Sequence, residues 1–474
     1  MALLALLLAG CGRKAVVREI SVVPEPVFMV QKEGTFTLPG SPKLSVVGLG
    51  QNSGTVKYIM KSLRHSRMRP KLVSASRASD VELVLYDTVN PELGDEGYLL
   101  EVRGTGITVS ANSERGIFYG FQTLMQMLPA DVTSTVYSAV VLPECTILDY
   151  PRFEWRGVHL DVSRHFFPAK FVKKYLDVMA MYKMNKLHFE LGIEASESGI
   201  AEDSLPALRD SSPEEGVAGG HYSPEELEDI MAYAADRGIE VIMDGRMPDS
   251  ADLLVMSDEV VMSRRGLKPG MEAARAGRKV IMSPEEFCDL DCYQADRRYQ
   301  PPSREGLITL RKAYEFDPAP MGTNLHVEAN ILGGRCNLWT GCISTAQQAE
   351  YMLLPRMLAI SEALWSPRER RDWNGFRRKV EEQKERLGVR GYSYCEGSFT
   401  PQFTARRVDE KTMNIAISTE VPNTYIFYTT DRSTPTRESA IYLGPMNLSR
   451  GTHIKILPMY KDVERDSVYE FVIK

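Results

Sequence analysis

Histidine, cysteine and surplus positive charge are all in short supply in this sequence, and each shortage closes off a class of function. Histidine occurs 7 times in 474 residues, scattered, with no two spaced to present a ligand pair on one helix face. No metal site is expected, and no cofactor. His165 and His188 fall near strand ends, where a hydrogen-bonded structural role is the common outcome. Cysteine occurs 7 times, too rarely for a disulfide scaffold in a chain this long. Cys288 and Cys292 form the only close pair, in FCDLDCYQ, and no second pair completes a zinc spacing, so they read as small buried apolar residues. The 57 Lys and Arg are outnumbered by 63 Asp and Glu, for a net charge of −6. That leaves no basic footprint for nucleic acid, and runs such as Arg370-Arg371 and Arg377 to Lys379 read as solvated helix faces.

Long apolar runs are also missing. The N-terminal run in MALLALLLAGCG is about ten residues, too short to span a bilayer. It fits the apolar core of a signal peptide. Leu8-Ala9-Gly10-Cys11 resembles a bacterial lipobox, in which the chain is cut before the cysteine and Cys11 is lipidated. No Lys or Arg precedes the run, and a stray apolar terminus is the other reading. The expectation is an exported bacterial lipoprotein of the outer membrane, periplasm or cell surface, touching the membrane through its lipid anchor only.

The composition is otherwise that of a globular protein, 43% apolar and 25% charged, with room for about three domains behind a leader and tether at residues 1–19. Residues 20–147 alternate short apolar runs, at 81–86, 98–102 and 107–110, with polar connections. Gly104-Thr105-Gly106 predicts a hairpin turn and 113–128 an amphipathic helix, together a small α+β domain. In residues 148–392 the informative stretch is 155–191, WRGVHLDVSRHFFPAKFVKKYLDVMAMYKMNKLHFEL. It predicts a strand, a helix introduced by Pro168 with Phe171, Tyr175, Val178, Met179 and Tyr182 on one face, and a second strand. Such a βαβ unit belongs to a barrel or an open parallel sheet, whose chemistry collects at the carboxyl ends of the strands, here 163–165 and 191–194. Residues 393–474 alternate apolar and polar, with turn residues at Asp431 to Thr436, and predict a small β-sandwich.

These motifs carry a family resemblance. The segment EGYLLEVRGTGITVSANSERGIFYGFQTLMQML resembles the accessory domain that precedes the barrel in family 20 glycoside hydrolases, the β-N-acetylhexosaminidases. The family's barrel opens RG-x-x-LD-x-x-RHFF, matched here by Arg156, Asp161, Arg164, His165, Phe166 and Phe167. GGHYSPEELEDIMAYAADRGIEVIM and ILGGRCNLWTGCISTAQQAEYMLLPRMLAISEALWS continue the likeness, which spans most of residues 20–390. The C-terminal region resembles the small β domain found behind many bacterial sugar hydrolases, with Arg432 where that pattern has Gly. The resemblance implies a TIM-type (β/α) barrel that removes terminal N-acetylhexosamine by substrate-assisted retaining hydrolysis. In that reaction the sugar's acetamide is the nucleophile and a Glu is the acid.

Set against that pattern, the residues retained for holding a sugar are few. Arg156 is expected to hold ring hydroxyls, with a salt bridge to a barrel carboxylate as its other reading. Trp339 is expected to pack under a sugar face or to be a core residue, and Asp291 to face a hydroxyl or to be a loop carboxylate. The family's Gly-Gly-Asp-Glu strand end does not occur. The third strand's PEIDMPGHS is replaced by Met243 to Ser250 with Arg246 at the Asp, and the second strand's HLTDDQGW by Glu190 to Ser196. SWRG is Ser263-Arg264-Arg265-Gly266, WTE is Trp339-Thr340-Gly341, and Asp289 stands at the acetamide-orienting Tyr. The adjacent acidic pair Asp258-Glu259 enters a strand instead of leaving one, so it is not taken as catalytic.

Counting strands explains the missing pair. They fall near residues 157, 187, 240, 260, 280 and 332, six where a closed barrel needs eight, with no room between Pro248 and Val260 for two more units. The fold class expected is therefore α/β, an incomplete TIM-type barrel internally deleted near 248–260, between an N-terminal α+β domain and a C-terminal β-sandwich. A family 20 protein without catalytic residues is expected, a pseudoenzyme whose partners are N-acetylhexosamine-containing glycans. The alternatives are weak hydrolysis through a rebuilt site using Glu190, Glu194 or Asp244, and a cell-surface glycan-binding lipoprotein.

Overall fold

The computed structural model describes residues 19–75, 77–191, 221–244, 253–257, 259–461, 463–464 and 468–474. Cys11, Glu194, Arg246, Asp258 and the stretch 192–196 lie outside the described residues.

The first domain is a seven-stranded sheet in the order Phe28–Pro39, Ala139–Asp149, Tyr98–Arg103, Gly106–Ala111, Val81–Leu85, Lys43–Val47, Lys71–Leu72, carrying the helices Gly54–His65 and Glu114–Met127. The predicted hairpin is present, Tyr98–Arg103 pairing antiparallel with Gly106–Ala111 around the two-residue turn Gly104-Thr105. Ser113 caps the second helix by accepting from Arg115 N and Gly116 N, which satisfies two of the amide donors a helix start leaves over.

The central sheet has seven strands: β1 (Trp155–Asp161), β2 (Lys186–Glu190), β3 (Glu240–Asp244), β4 (Leu253–Val255), β5 (Val260–Ser263), β6 (Lys279–Met282) and β7 (Ile331–Cys336). Their order is β3-β2-β1-β7-β6-β5-β4, parallel throughout except for β4. Helices α1 (Ala169–Met181) and α2 (Pro224–Ala235) cross between β1, β2 and β3. The last parallel strand, β7, lies beside the first, as in a closed barrel. The six parallel strands are the six predicted, and among the described residues no further parallel strand lies between β3 and β5. There the short β4 folds back on β5, with Met256 N bonding to Val260 O at 2.9 Å. The physical reason is length: a parallel pair needs a crossover of a dozen or more residues, and the turn from Val255 to Val260 admits only an antiparallel return. Among the described residues no pairing joins β3 to β4, so this is a curled, open sheet.

Close packing at the first and last strands depends on glycine. Gly333 on β7 has φ +143°, and a Cβ there would lie 2.1 Å from the Trp155 carbonyl oxygen of β1. Inside the curl, Leu254, Met262 and Ile281 pack with Trp155 to close the amino end of the sheet. The C-terminal domain packs a three-stranded sheet (Gln402–Arg407, Thr412–Ser418, Met446–Ser449) against one built on Tyr425–Thr429, His453–Tyr460 and Tyr469–Val472. Between them lies an isoleucine core of Ile415, Ile417, Ile426, Ile454 and Ile456.

Candidate functional site

Alternation along β1 sends Trp155, Gly157, His159 and Asp161 to one face, and the register sets His159 beside His188 and Asp161 beside Glu190 on β2. Two polar layers result above the apolar floor. In the lower, Arg335 of β7 donates from Nη1 to His188 Nδ1 at 3.1 Å. In the upper, His159 Nε2 meets Glu190 Oε2 at 2.9 Å, both groups fully buried. Burial pushes His159 well below the ordinary histidine range, and the nearby Arg335, His188, Arg264 and Arg164 push the same way. Burial therefore favours the neutral ring, and the contact between Nε2 and Glu190 Oε2 is a hydrogen bond sharing one proton between two buried groups.

Trp339 covers this pair. Its ring centroid lies 4.3 Å from that of His159, and the Arg264 guanidinium lies 4.6 Å from its centroid. Where the family pattern has a second tryptophan, this chain thus lays a cation against the first. Trp339 is 7% exposed, and its Nε1 has no hydrogen-bond partner among the described residues.

At the rim, Asp161 ties β1 to the segment that follows β7. One carboxylate oxygen accepts from Ser163 N at 2.8 Å and Ser163 Oγ at 2.6 Å; the other accepts from Arg164 Nη1 at 2.7 Å and Thr340 N at 3.1 Å. His165 Nδ1 donates to Thr340 O at 2.7 Å. Across the mouth Arg304 bridges Asp291 (Nε to Oδ2, 2.6 Å) and Asp289 (Nη2 to Oδ2, 2.8 Å), and Asn337 donates to Asp289 at 2.7 Å. Burial, then the adjacent Asp291 charge, push Asp289 up to about 6, against the opposing pull of Asn337 and Arg304.

Of the three residues expected at a sugar, Trp339 and Asp291 lie at the carboxyl end of the sheet, and both are engaged by neighbours. Arg156 lies elsewhere. It is the second residue of β1, at the amino end, with no exposure. Its Nη1 and Nη2 bond Glu96 at 2.7 and 3.0 Å, Nη1 also Phe153 O at 2.9 Å, Nη2 also Tyr119 Oη at 3.1 Å, and Nε bonds Lys183 O at 2.8 Å. All five donors are used at the contact with the first domain. The arginine at the mouth is Arg164, eight residues on, just past the carboxyl end of β1. The signal for it was in the sequence: of the two arginines in the matched motif, only Arg164 follows the strand.

Glu259 is exposed and enters β5 at its amino end. The cysteines at 145, 288, 292, 336 and 395 are buried free thiols, and burial raises Cys288 well above its ordinary range. Among the described residues no three His, Cys, Asp or Glu are grouped to hold a metal ion, and no helix is long and apolar enough to cross a membrane.

Comparison with known proteins places this architecture. The profile described as "Glycosyl hydrolase family 20, domain 2" matches residues 19–150. The one described as "Glycosyl hydrolase family 20, catalytic domain" matches in two segments, 153–264 and 249–368, which overlap at 249–264. An "Fn3 associated" profile matches 415–472. A beta-hexosaminidase of Porphyromonas gingivalis is 25% identical, over 92% of this chain and 72% of that one. A beta-N-acetylhexosaminidase of Cellulomonas fimi is 23% identical, over 79% of this chain and 96% of that one. The solved N-acetyl-beta-hexosaminidase of Streptomyces plicatus, in complex with Thio-NAglucal, superposes with a TM-score of 0.68 at 24% identity, covering 79% of this chain and 96% of that one. Two profiles of one family, matched in succession over an accessory domain and a curled parallel sheet of that family's architecture, mean that the chain belongs to glycosyl hydrolase family 20.

Proposed function

We propose that this family 20 protein does not hydrolyse terminal N-acetylhexosaminides. One observation carries the reading: the described carboxylates at the mouth are already committed, Glu190 to His159, Asp161 to Arg164 and Thr340, and Asp289 and Asp291 to Arg304. A general acid needs a proton and a free approach to the leaving oxygen. The family's Gly-Gly-Asp-Glu strand end does not occur in the sequence, and Arg264 lies against the tryptophan on which a sugar ring would stack. The test is turnover of a chromogenic N-acetyl-β-glucosaminide by purified protein beside an intact relative. No release above buffer is expected, and turnover within about a hundredfold of the relative, roughly 2.7 kcal/mol of barrier, overturns the proposal.

A second reading has one observation in its favour: Asp244 on β3 is in backbone register with Glu190 on β2. If hydrolysis is seen, replacing Glu190, Glu194 and Asp244 by Ala should abolish it on this reading. A role in binding glycans without cleavage is tested by calorimetry with N-acetylglucosamine oligomers, where absence of heat counts against it. The proposal includes tethering through a lipidated Cys11. Labelled palmitate should enter the wild-type chain expressed in a bacterium and not Cys11→Ser, and equal labelling of the two refutes that part.

A further inference from the structure

A cavity of about 580 Å³ lies where the first domain's helix Gly54–His65 meets α1, α2 and the helix Trp373–Val389. It shares no lining residue with the barrel mouth. Six cations line it, Lys61, Arg64, Lys174, Arg237, Arg386 and Arg390, against one carboxylate, Asp177. Asp177 is taken by Arg237, Nε to Oδ1 at 2.7 Å, and Glu350 sits behind Lys174 at 2.5 Å. Lys61, Arg64, Arg386 and Arg390 make no ion pair among the described residues, Glu382 and Glu385 acting on Arg386 only through space, so the lining is net positive in a chain whose net charge is −6.

Arg386 shows the imbalance best. It is 4% exposed and donates only to carbonyls, Met125 O at 3.1 Å, Gln126 O at 2.7 Å and Leu128 O at 2.8 Å, the closing turn of the helix Glu114–Met127. The helix dipole offsets part of its charge. Arg390 lies one turn further on, with no ion pair among the described residues. The Nε atoms of Arg386 and Arg390 are both buried without an acceptor, a state that buried donors rarely keep. Tyr58, Phe121, Met125, Met181, Tyr233 and Tyr392 give the lining its apolar and aromatic part, and Ser62, His65, Gln122 and Gln126 complete it.

We propose that this cavity binds a small phosphate monoester with an aromatic or apolar body. Clustered guanidiniums suit a doubly charged tetrahedral oxyanion better than a single carboxylate, and the tyrosines and methionines suit the body. The site is independent of whether the barrel hydrolyses sugars.

The experiment is calorimetry on the full chain with phenyl phosphate, inorganic phosphate, phenyl sulfate and benzoate at matched ionic strength. Phenyl phosphate is expected to bind with a Kd of about 0.1–1 mM, and more tightly than inorganic phosphate or benzoate. The double variant Lys61→Gln/Arg390→Gln leaves the helix-capping Arg386 in place and is expected to weaken phenyl phosphate at least tenfold. Should that variant melt early, Lys61→Gln/Arg64→Gln, both on an exposed helix end, serves instead with the same expectation. The proposal is overturned by absence of saturable heat up to about 10 mM phenyl phosphate, by undiminished binding in the folded double variant, or by benzoate or phenyl sulfate binding as tightly as phenyl phosphate.

Discussion

Removing the Glu96 carboxylate would strand a buried guanidinium, and the size of the loss follows from the geometry. Arg156 has no exposure and its counter-ion is Glu96, held in a two-pronged contact at 2.7 and 3.0 Å. Burial alone would raise the Glu96 carboxyl; the Arg156 guanidinium outweighs it and holds the group below its usual range. In Glu96→Ala the charge stays, packed against Tyr119 and Trp365. Breaking one side of a buried pair costs about 3–5 kcal/mol. For the roughly 370 residues of the two joined domains, an unfolding entropy near 2.1 cal/mol/K per residue makes each kcal/mol worth about 1.3 °C, so Tm should fall by about 4–6 °C. Arg156→Met should cost less, about 1–3 kcal/mol, because the Glu96 carboxyl it strands can take up a proton, which a guanidinium cannot lose, and keeps its bond from Asn185. The double variant Glu96→Ala/Arg156→Met should be more stable than the sum of the singles by at least about 1 kcal/mol, the coupling of a contacting pair. Scanning calorimetry measures all of these. A Glu96→Ala change in Tm below about 1 °C, or strictly additive singles, refutes the pairing and reopens a ligand-facing role for Arg156.

Glu362 is fully buried, and burial pushes it up to about 8 against the opposing pull of Arg371 and Tyr314. Its folded value exceeds its unfolded one, so the folded state holds the extra proton and stability falls as pH rises from about 4.5 through 8, by about 1.4 kcal/mol for each pH step between the two values. Glu362→Gln should therefore flatten the decline of Tm between pH 5 and pH 8; an unchanged slope contradicts the assignment. Arg432 has φ +70° at an exposed turn where Asp431 accepts from Ser433 N. Relief of left-handed strain of about 1–2 kcal/mol, less the entropy glycine loses on folding, predicts that Arg432→Gly stabilises the C-terminal domain by about 0.5–1 kcal/mol. Urea unfolding of the full chain followed by a probe in that domain checks it, and destabilisation refutes it. Trp339→Ala should uncover His159 and cost about 3–5 kcal/mol, as for other buried aromatics; a loss below about 1 kcal/mol would mean that the ring is not packed as described.

Much of the fold was legible because it rests on local patterns. Alternation marked β1 and β2, helical spacing behind Pro168 marked α1, and the strand count gave the six parallel strands. The hairpin at Gly104-Thr105 was readable because its turn needs particular residues. β4 was legible only as a stretch that had to go somewhere: three apolar residues carry no information about which strand they will pair with or in which direction.

The site was read less well, for a reason visible in Arg156 and Arg164. Both lie in one matched motif, and the choice between them depends on which end of β1 each occupies and on what packs against it there. Trp339 and Asp291 were placed at the mouth, but that Arg264 lies over the one and Arg304 clasps the other are encounters between β5, β7 and the loops after β6, distant in sequence. Residue order alone therefore determined the family, the sequence of strands and helices, and the absence of a Gly-Gly-Asp-Glu stretch, since each is written in contiguous stretches. Which carboxylates are already neutralised, which arginine faces the mouth and which is spent joining two domains were decided only by tertiary structure. Charge compensation is a matter of distance and burial, and neither is a property of any one segment.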